Sequence, residues 1–495
     1  MAHRNLHRPS ARLIATVASA ATALSALVAC STSDTDRATQ SSGRTSASVP
    51  TAPSSRPAPP GNAHSAEATS AARALAGKLT LDGAVKHLQA LEDIARRNGG
   101  NRALGTPGYQ QSLDYVEDAL ESAGYAVERH EFTTASWSVG KQEATVEGRA
   151  LTINALSGSG ASRGTITAEA AVVPGVGCAD SDYGRTRGAV AVVQRGMCPF
   201  GDKYRHAAAA GAQALVVVNN ADGELDGTLG LQEASSIPVV SVTKAEGAGL
   251  IDGAEMVITV DAQTKKAQSW DLLAETREGD PTAVQMVGAH LDSVPDGPGI
   301  NDNGTGAAAV LETATALGAN APVKNKVRFA FWGAEEEGLI GSTRYVESLA
   351  PADRSKIARY LNFDMLGSHN GGYFTYDGDG SSKLEGGPGP TGSGVIEQVF
   401  RNYFADRKVP VDASAFDGRS DYGPFVEQGI PSGGVDTGAE KKKTTAQAQK
   451  WGGAAGEAYD IDYHTARDTL AAVNREVYGT ALGAVGWSTG YFGAL

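Results

Sequence analysis

Three short apolar runs punctuate the second half of the chain, and polar residues with glycine follow each at once. They cover residues 284–289, 327–332 and 360–365. Runs of this length that are apolar at nearly every position read as strands buried on both faces. Between the first two, residues 305–317 form an Ala-rich predicted helix. Upstream, Leu81, Val85, Leu88, Leu91 and Ile94 recur at helical spacing within residues 79–97. Residues 107–123 predict a second helix, with Pro107 in its first turn and Gly124 past its end. Residues 125–133 alternate as a strand. Strands alternating with helices predict an α/β fold with helices on both faces of a central sheet.

The pattern changes from residue 134 to 262. This segment is rich in Val, Ala and Gly, with short strands at 189–193, 214–219 and 237–241 and a helix at 204–211. It reads as a smaller β-rich α/β insert that splits the main domain into residues 66–133 and 263–495. Residues 31–65 are rich in Ser, Thr, Pro and Ala without apolar periodicity, which predicts a disordered tether. Residues 1–30 have a basic start (Arg4, Arg8, Arg12), an apolar stretch from Leu13 and a Leu27-Val28-Ala29-Cys30 end. That is the form of a secretory signal. No later stretch is long and apolar enough to span a bilayer.

Composition narrows this picture. A chain of 495 residues, 41% hydrophobic, can bury more than one core. A formal net charge of −13 argues against a nucleic-acid partner. Three cysteines occur, and export would leave Cys178 and Cys198 in an oxidising compartment. A disulfide between them would restrict the unfolded chain by roughly 3 kcal/mol. The alternative is two buried free thiols. No further Cys or His pattern completes a zinc tetrahedron around this pair.

The candidate chemistry follows the apolar runs. His290 and Asp292 end the first, and residues i and i+2 of a strand share a face. Asp302 lies in Asn301-Asp302-Asn303-Gly304, just before the Ala-rich helix. Glu335, Glu336 and Glu337 follow the second run. Asp364 sits in the third, and His464 lies near the C-terminus. Imidazoles and carboxylates gathered at strand ends suit divalent metal, and this set could hold two ions sharing a carboxylate. Taken singly, each has a plainer reading: Asp302 as a helix cap, the three glutamates as a solvated turn.

Together these residues resemble the co-catalytic zinc aminopeptidases of the bacterial secreted leucine-aminopeptidase type. Gly418-Arg419-Ser420-Asp421-Tyr422-Gly423-Pro424-Phe425 and Pro431-Ser432-Gly433-Gly434 carry the same resemblance. It implies a zinc exopeptidase fold with a mixed sheet, and two Zn2+ per chain. His290 and Asp364 would hold one ion, Glu336 and His464 the other, and Asp302 both. Asp292 would orient the His290 ring. Glu335 would be the general base, and Tyr463 would donate to the oxyanion. Glu335, Asp364 and the backbone near Arg419 would meet the free amine of a peptide substrate. The insert resembles the protease-associated domain. Leu27-Val28-Ala29-Cys30 resembles the lipobox of bacterial lipoproteins, which implies lipidation of Cys30. The protein would then be exported to the outer face of the cell membrane, part of it secreted, touching membrane through that anchor only.

Two departures from the family pattern stand out. Where relatives often carry cysteines flanking the last histidine, this chain has Asp462 and Arg467. Where they can place an aromatic residue lining the specificity pocket, it has Asp436. Inside the pocket, an ionised carboxylate would extend an apolar preference to basic first residues; turned outward to solvent, it would leave the apolar preference intact. Two other functions compete: a carboxypeptidase of the same clan, and a non-catalytic peptide-binding lipoprotein. The former carries a long helical C-terminal domain, for which the chain leaves no room after His464. The latter is expected to lose metal ligands, and all five are present. Gly304-Thr305-Gly306 lies too far past its strand for a dinucleotide site. Gly486-Trp487-Ser488-Thr489-Gly490 has no triad partners after it.

Overall fold

The computed structural model describes residues 65–220, 223–225, 227–229, 234–384 and 386–495; Cys30 and the predicted signal lie outside them, as does the tether apart from its last residue. At the centre of the sheet runs strand Asp280–His290. It pairs in parallel with Asn325–Trp332 on one side and Ile357–Phe363 on the other. Ile357–Phe363 pairs in parallel with Ser432–Asp436. Antiparallel neighbours flank these four, Glu255–Glu275 beside Asn325–Trp332 and Phe374–Tyr376 beside Ser432–Asp436. The sheet is therefore mixed. Its four parallel strands deliver His290, Trp332, Phe363 and Asp436 to one edge, where α/β folds place their ligands.

Side chains alternate between the two faces, as a pleated strand requires. Val287, Ala289, Phe329, Phe331, Leu361 and Phe363 join one core with helices Leu81–Arg97, Pro107–Ser122 and Gly306–Leu317. Val284, Met286, Ala330, Trp332 and Tyr360 join another with helices Ile340–Ser348 and Gly423–Glu427. Helices thus cover both faces. Helix Arg475–Gly493 is buried almost all round and shows no apolar stripe for periodicity to find. Its glycines let it close on helix Ala66–Ala76: a Cβ on Gly486 would stand 3.1 Å from Ala76 Cα, and one on Gly490 2.8 Å from the Ala71 carbonyl.

The insert has cores of its own. Strands Ile166–Val172, Val190–Gln194, Ala214–Val218 and Val239–Val242 run parallel in that order. Cys178 and Cys198 form a disulfide. Two long strands, Val127–Val146 and Glu255–Glu275, join insert to main domain as an antiparallel ribbon, paired from Val127↔Ala274 to Val146↔Met256. Both strands continue past residues 134 and 262, with a shift of register between Val139↔Ala262 and Gln142↔Val260. Alternation fades in the sequence there because mid-ribbon residues such as Lys265 and Lys266 are exposed. Helix Phe200–Ala210 starts earlier than the sequence predicts, behind Pro199. The third apolar strand ends at Phe363, which leaves Asp364 as the first residue beyond it rather than within it.

Candidate metal centre

Each candidate ligand is set in place by a strand end or by the loop it feeds. His290 closes the central strand and is buried. Its Nδ1 lies 3.2 Å from the main-chain oxygen of Asp292 and 3.7 Å from that residue's carboxylate. Nε2 is thereby turned toward the site. The Asp292 carboxylate itself accepts the main-chain N–H groups of Glu335 and Glu336, at 3.2 and 3.3 Å. One buried carboxylate thus joins the His290 loop to the glutamate turn. Asp302 lies in the turn Ile300–Thr305, and its peptide bond to Asn303 is cis.

The side chains meet as two overlapping sets. His290 Nε2 is 3.3 Å from Asp302 Oδ1 and 3.5 Å from Asp364 Oδ1. His464 Nε2 is 3.1 Å from both Asp302 Oδ2 and Glu336 Oε2. Asp302 therefore presents one oxygen to each histidine. Either triad, His290–Asp302–Asp364 or Asp302–Glu336–His464, can offer three ligand atoms to one ion. Glu335 Oε2 stands 3.9 Å from His290 Nε2, and His290, Glu335 and Glu336 form a third such group. Four side-chain atoms of these ligand candidates are buried without a hydrogen-bond partner: Nε2 of both histidines, Glu336 Oε1 and Asp364 Oδ1. Leaving such groups unpaired costs about 1–3 kcal/mol each. Imidazole nitrogen with carboxylate oxygen is the donor set zinc takes, so the residues fit that metal.

Electrostatics agree with this. Burial would lower the histidine pKa values, but the facing carboxylates push both well above the ordinary value: Glu335 and Asp364 at His290, Glu336 and Asp302 at His464. Burial pushes the Glu335 carboxyl well up, with His290 opposing. Burial also lifts Asp421 to about 8, close to the charges of His290 and Asp364. A site so dense in carboxylate favours positive charge from outside.

The site opens into a cleft of about 430 Å³, lined by Asp302, Glu335, Glu336 and Asp364 at one end and by Phe374, Tyr376, Tyr459 and Asp436 further on. Asp436 Oδ1 accepts from the Gly438 N–H at 3.1 Å, and burial lifts the carboxyl to about 6. Tyr463 stacks on His464 with ring centroids 3.8 Å apart. Arg419 sits at the exposed rim, paired with Glu440 at 2.7 Å and 3.5 Å from the Tyr463 hydroxyl. Cys178 and Cys198 belong to the insert and take no part in the ligand set.

Sequence reasoning missed several supports. Ser420 donates to Asp364 Oδ2 at 2.7 Å. Asp468 accepts the N–H groups of Asn301 and Asp302 at 2.7 and 3.0 Å, tying the His464 loop to the Asp302 turn. Asp462 and Arg467 form an ion pair at 2.6 Å across that same loop. Arg102 is fully buried and donates to the carbonyls of Leu291, Pro298 and Gly299. The motif around Ser420 was visible in the sequence; nothing there marked Arg102 or Asp468.

Comparison with known proteins agrees with this geometry. The profile of peptidase family M28 matches residues 271–485, and that of the PA domain residues 166–250. The chain is 46% identical over 430 residues to the "Probable lipoprotein aminopeptidase LpqL" of Mycobacterium tuberculosis, covering 85% of this chain and 86% of that protein. It is 45% identical over 422 residues to an aminopeptidase of Pseudomonas aeruginosa, covering 79% and 77%. Among solved structures, the aminopeptidase from Aneurinibacillus sp. strain AM-1 superposes with a TM-score of 0.65 at 26% identity, over 84% of this chain and 95% of that one.

Proposed function

The chain belongs to peptidase family M28 and is a metal-dependent aminopeptidase with an inserted PA domain, and from that premise we propose that it removes the first residue of peptides with two zinc ions in its centre. The observation that carries this reading is the pair of triads meeting at Asp302. His290, Asp302 and Asp364 would hold one ion, and Asp302, Glu336 and His464 the other. Zinc bound there supplies Lewis acidity that polarises the scissile carbonyl and acidifies water.

The chain's own residues do the rest. Glu335 is buried, lies beside both triads and is not needed in either of them. It takes a proton from the attacking water and returns it to the leaving amine. Tyr463, held against His464, directs its hydroxyl to the developing oxyanion. Carboxylates crowd the inner end of the cleft, so a free ammonium is attracted there and an acetylated amine is not. The aromatic walls accept an apolar first side chain, and Asp436 extends acceptance to Lys and Arg.

Metal analysis of purified protein should give about two zinc ions per chain, and chelation should abolish hydrolysis of leucyl substrates. Glu335→Gln should keep the zinc and lose roughly 10²–10⁴-fold in kcat. Full activity after exhaustive demetallation would overturn the reading, and near-normal turnover in Glu335→Gln would remove that residue from its role. Among the described residues no helix is long and apolar enough to cross a membrane. We place the protein at the outer face of the cell membrane through a lipid on Cys30. Cys30→Ala should move it to the soluble fraction; a wild-type protein found wholly soluble and unlipidated would refute the anchor.

A further inference from the structure

Three adjacent glutamates, Glu335, Glu336 and Glu337, leave strand Asn325–Trp332 in one turn, and their carboxylates go three ways. Glu335 Oε2 approaches His290 Nε2 at 3.9 Å. Glu336 Oε2 approaches His464 Nε2 at 3.1 Å. Glu337 leaves the site altogether: its Oε2 accepts a hydrogen bond from Ser157 Oγ at 2.9 Å. Ser157 belongs to the insert. Its neighbour Leu156 lies in an insert core, and its own main chain is held on both sides. Its N–H donates to the Gly227 carbonyl at 2.8 Å, and its carbonyl accepts from Leu229 N–H at 2.9 Å.

The other anchors of this turn are bonds to its main chain. Asp292 accepts the N–H groups of Glu335 and Glu336, and Asp271 accepts that of Gly333 at 3.0 Å. Main-chain bonds fix where the turn runs but do not distinguish one glutamate side chain from the next. Three carboxylates in succession repel one another, and a free Glu337 could compete with Glu336 for the same histidine. The hydroxyl of Ser157 gives Glu337 a fixed, uncharged partner away from the metal centre. We propose that Ser157 is a positioning residue through which the inserted domain withdraws Glu337 and leaves Glu335 and Glu336 to face the two histidines. The insert thereby becomes a working part of the catalytic domain. The inference rests on the aminopeptidase reading for its kinetic consequence and on the ligand geometry alone for its metal consequence.

The test uses full-length protein and two readouts: zinc affinity by competition with a chromophoric chelator, and kcat against KM on a leucyl substrate. Ser157→Ala should weaken zinc retention about tenfold and lower kcat about tenfold, with KM within twofold and the thermal midpoint nearly unchanged, whereas Glu337→Ala, with no carboxylate left to compete, should keep both near wild type. Glu337→Gln keeps an acceptor oxygen for Ser157 and loses the charge, so it too should stay near wild type. The double variant Ser157→Ala/Glu337→Ala should recover the losses of Ser157→Ala, because it removes the carboxylate that Ser157 no longer holds back. If Ser157→Ala does not fold, Ser157→Gly removes the same hydroxyl and reads the same contact. Unchanged zinc affinity in Ser157→Ala, or a double variant as weak as Ser157→Ala, would overturn the proposal. Wild-type protein inert on every aminoacyl substrate would sink the functional reading instead, and the zinc competition would still decide the role of Ser157.

Discussion

Asp436 ends strand Ser432–Asp436 and lines the same cleft as Glu335 and Asp364. A carboxylate there attracts a cationic first side chain only while it is ionised. Burial lifts its pKa to about 6, with Ser414 and the Gly438 N–H opposing and Asp417 and Asp364 adding to the rise. Above about pH 6 the group is charged and favours Lys or Arg, and below it the group is neutral and the advantage goes. The ratio of kcat/KM for lysyl over leucyl substrates should therefore rise about tenfold between pH 5 and 8, since tenfold corresponds to about 1.4 kcal/mol of preferential binding. Using a ratio cancels the titration of groups that act on both substrates. Asp436→Asn should flatten the profile at its low-pH value, and Asp436→Phe should favour leucine further. A ratio independent of pH in wild type would place the carboxylate out of reach of the substrate side chain.

The loops between strands and helices divide by how much the sequence disclosed of them. Strand ends identify themselves, because an apolar run that stops at His-x-Asp or at three glutamates has few structural reasons to do so. That pattern pointed to His290 and to the glutamate turn, while the family resemblance, not the pattern, singled out Glu336 among the three glutamates and assigned Asp302, Asp364 and His464 as ligands. The residues that hold those loops were not legible, because their partners are distant in sequence. Arg102 reaches the carbonyls of Leu291, Pro298 and Gly299 across nearly two hundred positions. Gly299 itself is at φ +60, and a Cβ there would meet the Asp302 carbonyl at 2.4 Å, so this loop admits little variation. Helix Arg475–Gly493 escaped for the opposite reason: burial on every side erases the stripe that marks a surface helix. Arg102→Met removes the donors and leaves buried carbonyls unsatisfied, which should destabilise the fold by about 3 kcal/mol or more. Arg102→Lys should recover only part, lacking the planar fork. Urea midpoints for the two variants check this. A midpoint unchanged in Arg102→Met would mean that the loop finds other donors.

At the scale of the whole molecule, two sets of cores are joined by one ribbon, Val127–Val146 against Glu255–Glu275. The main domain packs helices on both faces of its sheet, whereas the insert relies on a smaller sheet and on the Cys178–Cys198 bridge. A disulfide closing a 20-residue separation restricts the unfolded chain by roughly 3 kcal/mol. That restriction acts on the insert and not on the metal centre. Cys178→Ser/Cys198→Ser, or reduction of the native bridge, should therefore lower the melting transition of the insert and leave that of the main domain in place. Calorimetry should resolve the two, with the lower one alone moving. Added zinc should raise the upper transition, since it binds the folded main domain. If Ser157 couples the insert to Glu337, activity should fall as the lower transition is crossed, before the main domain melts. The Cys178→Ser/Cys198→Ser variant should then lose activity at a lower temperature than wild type, while its main-domain melting stays put. A single transition that shifts as a whole on reduction would instead mean that the ribbon makes the two parts unfold as one.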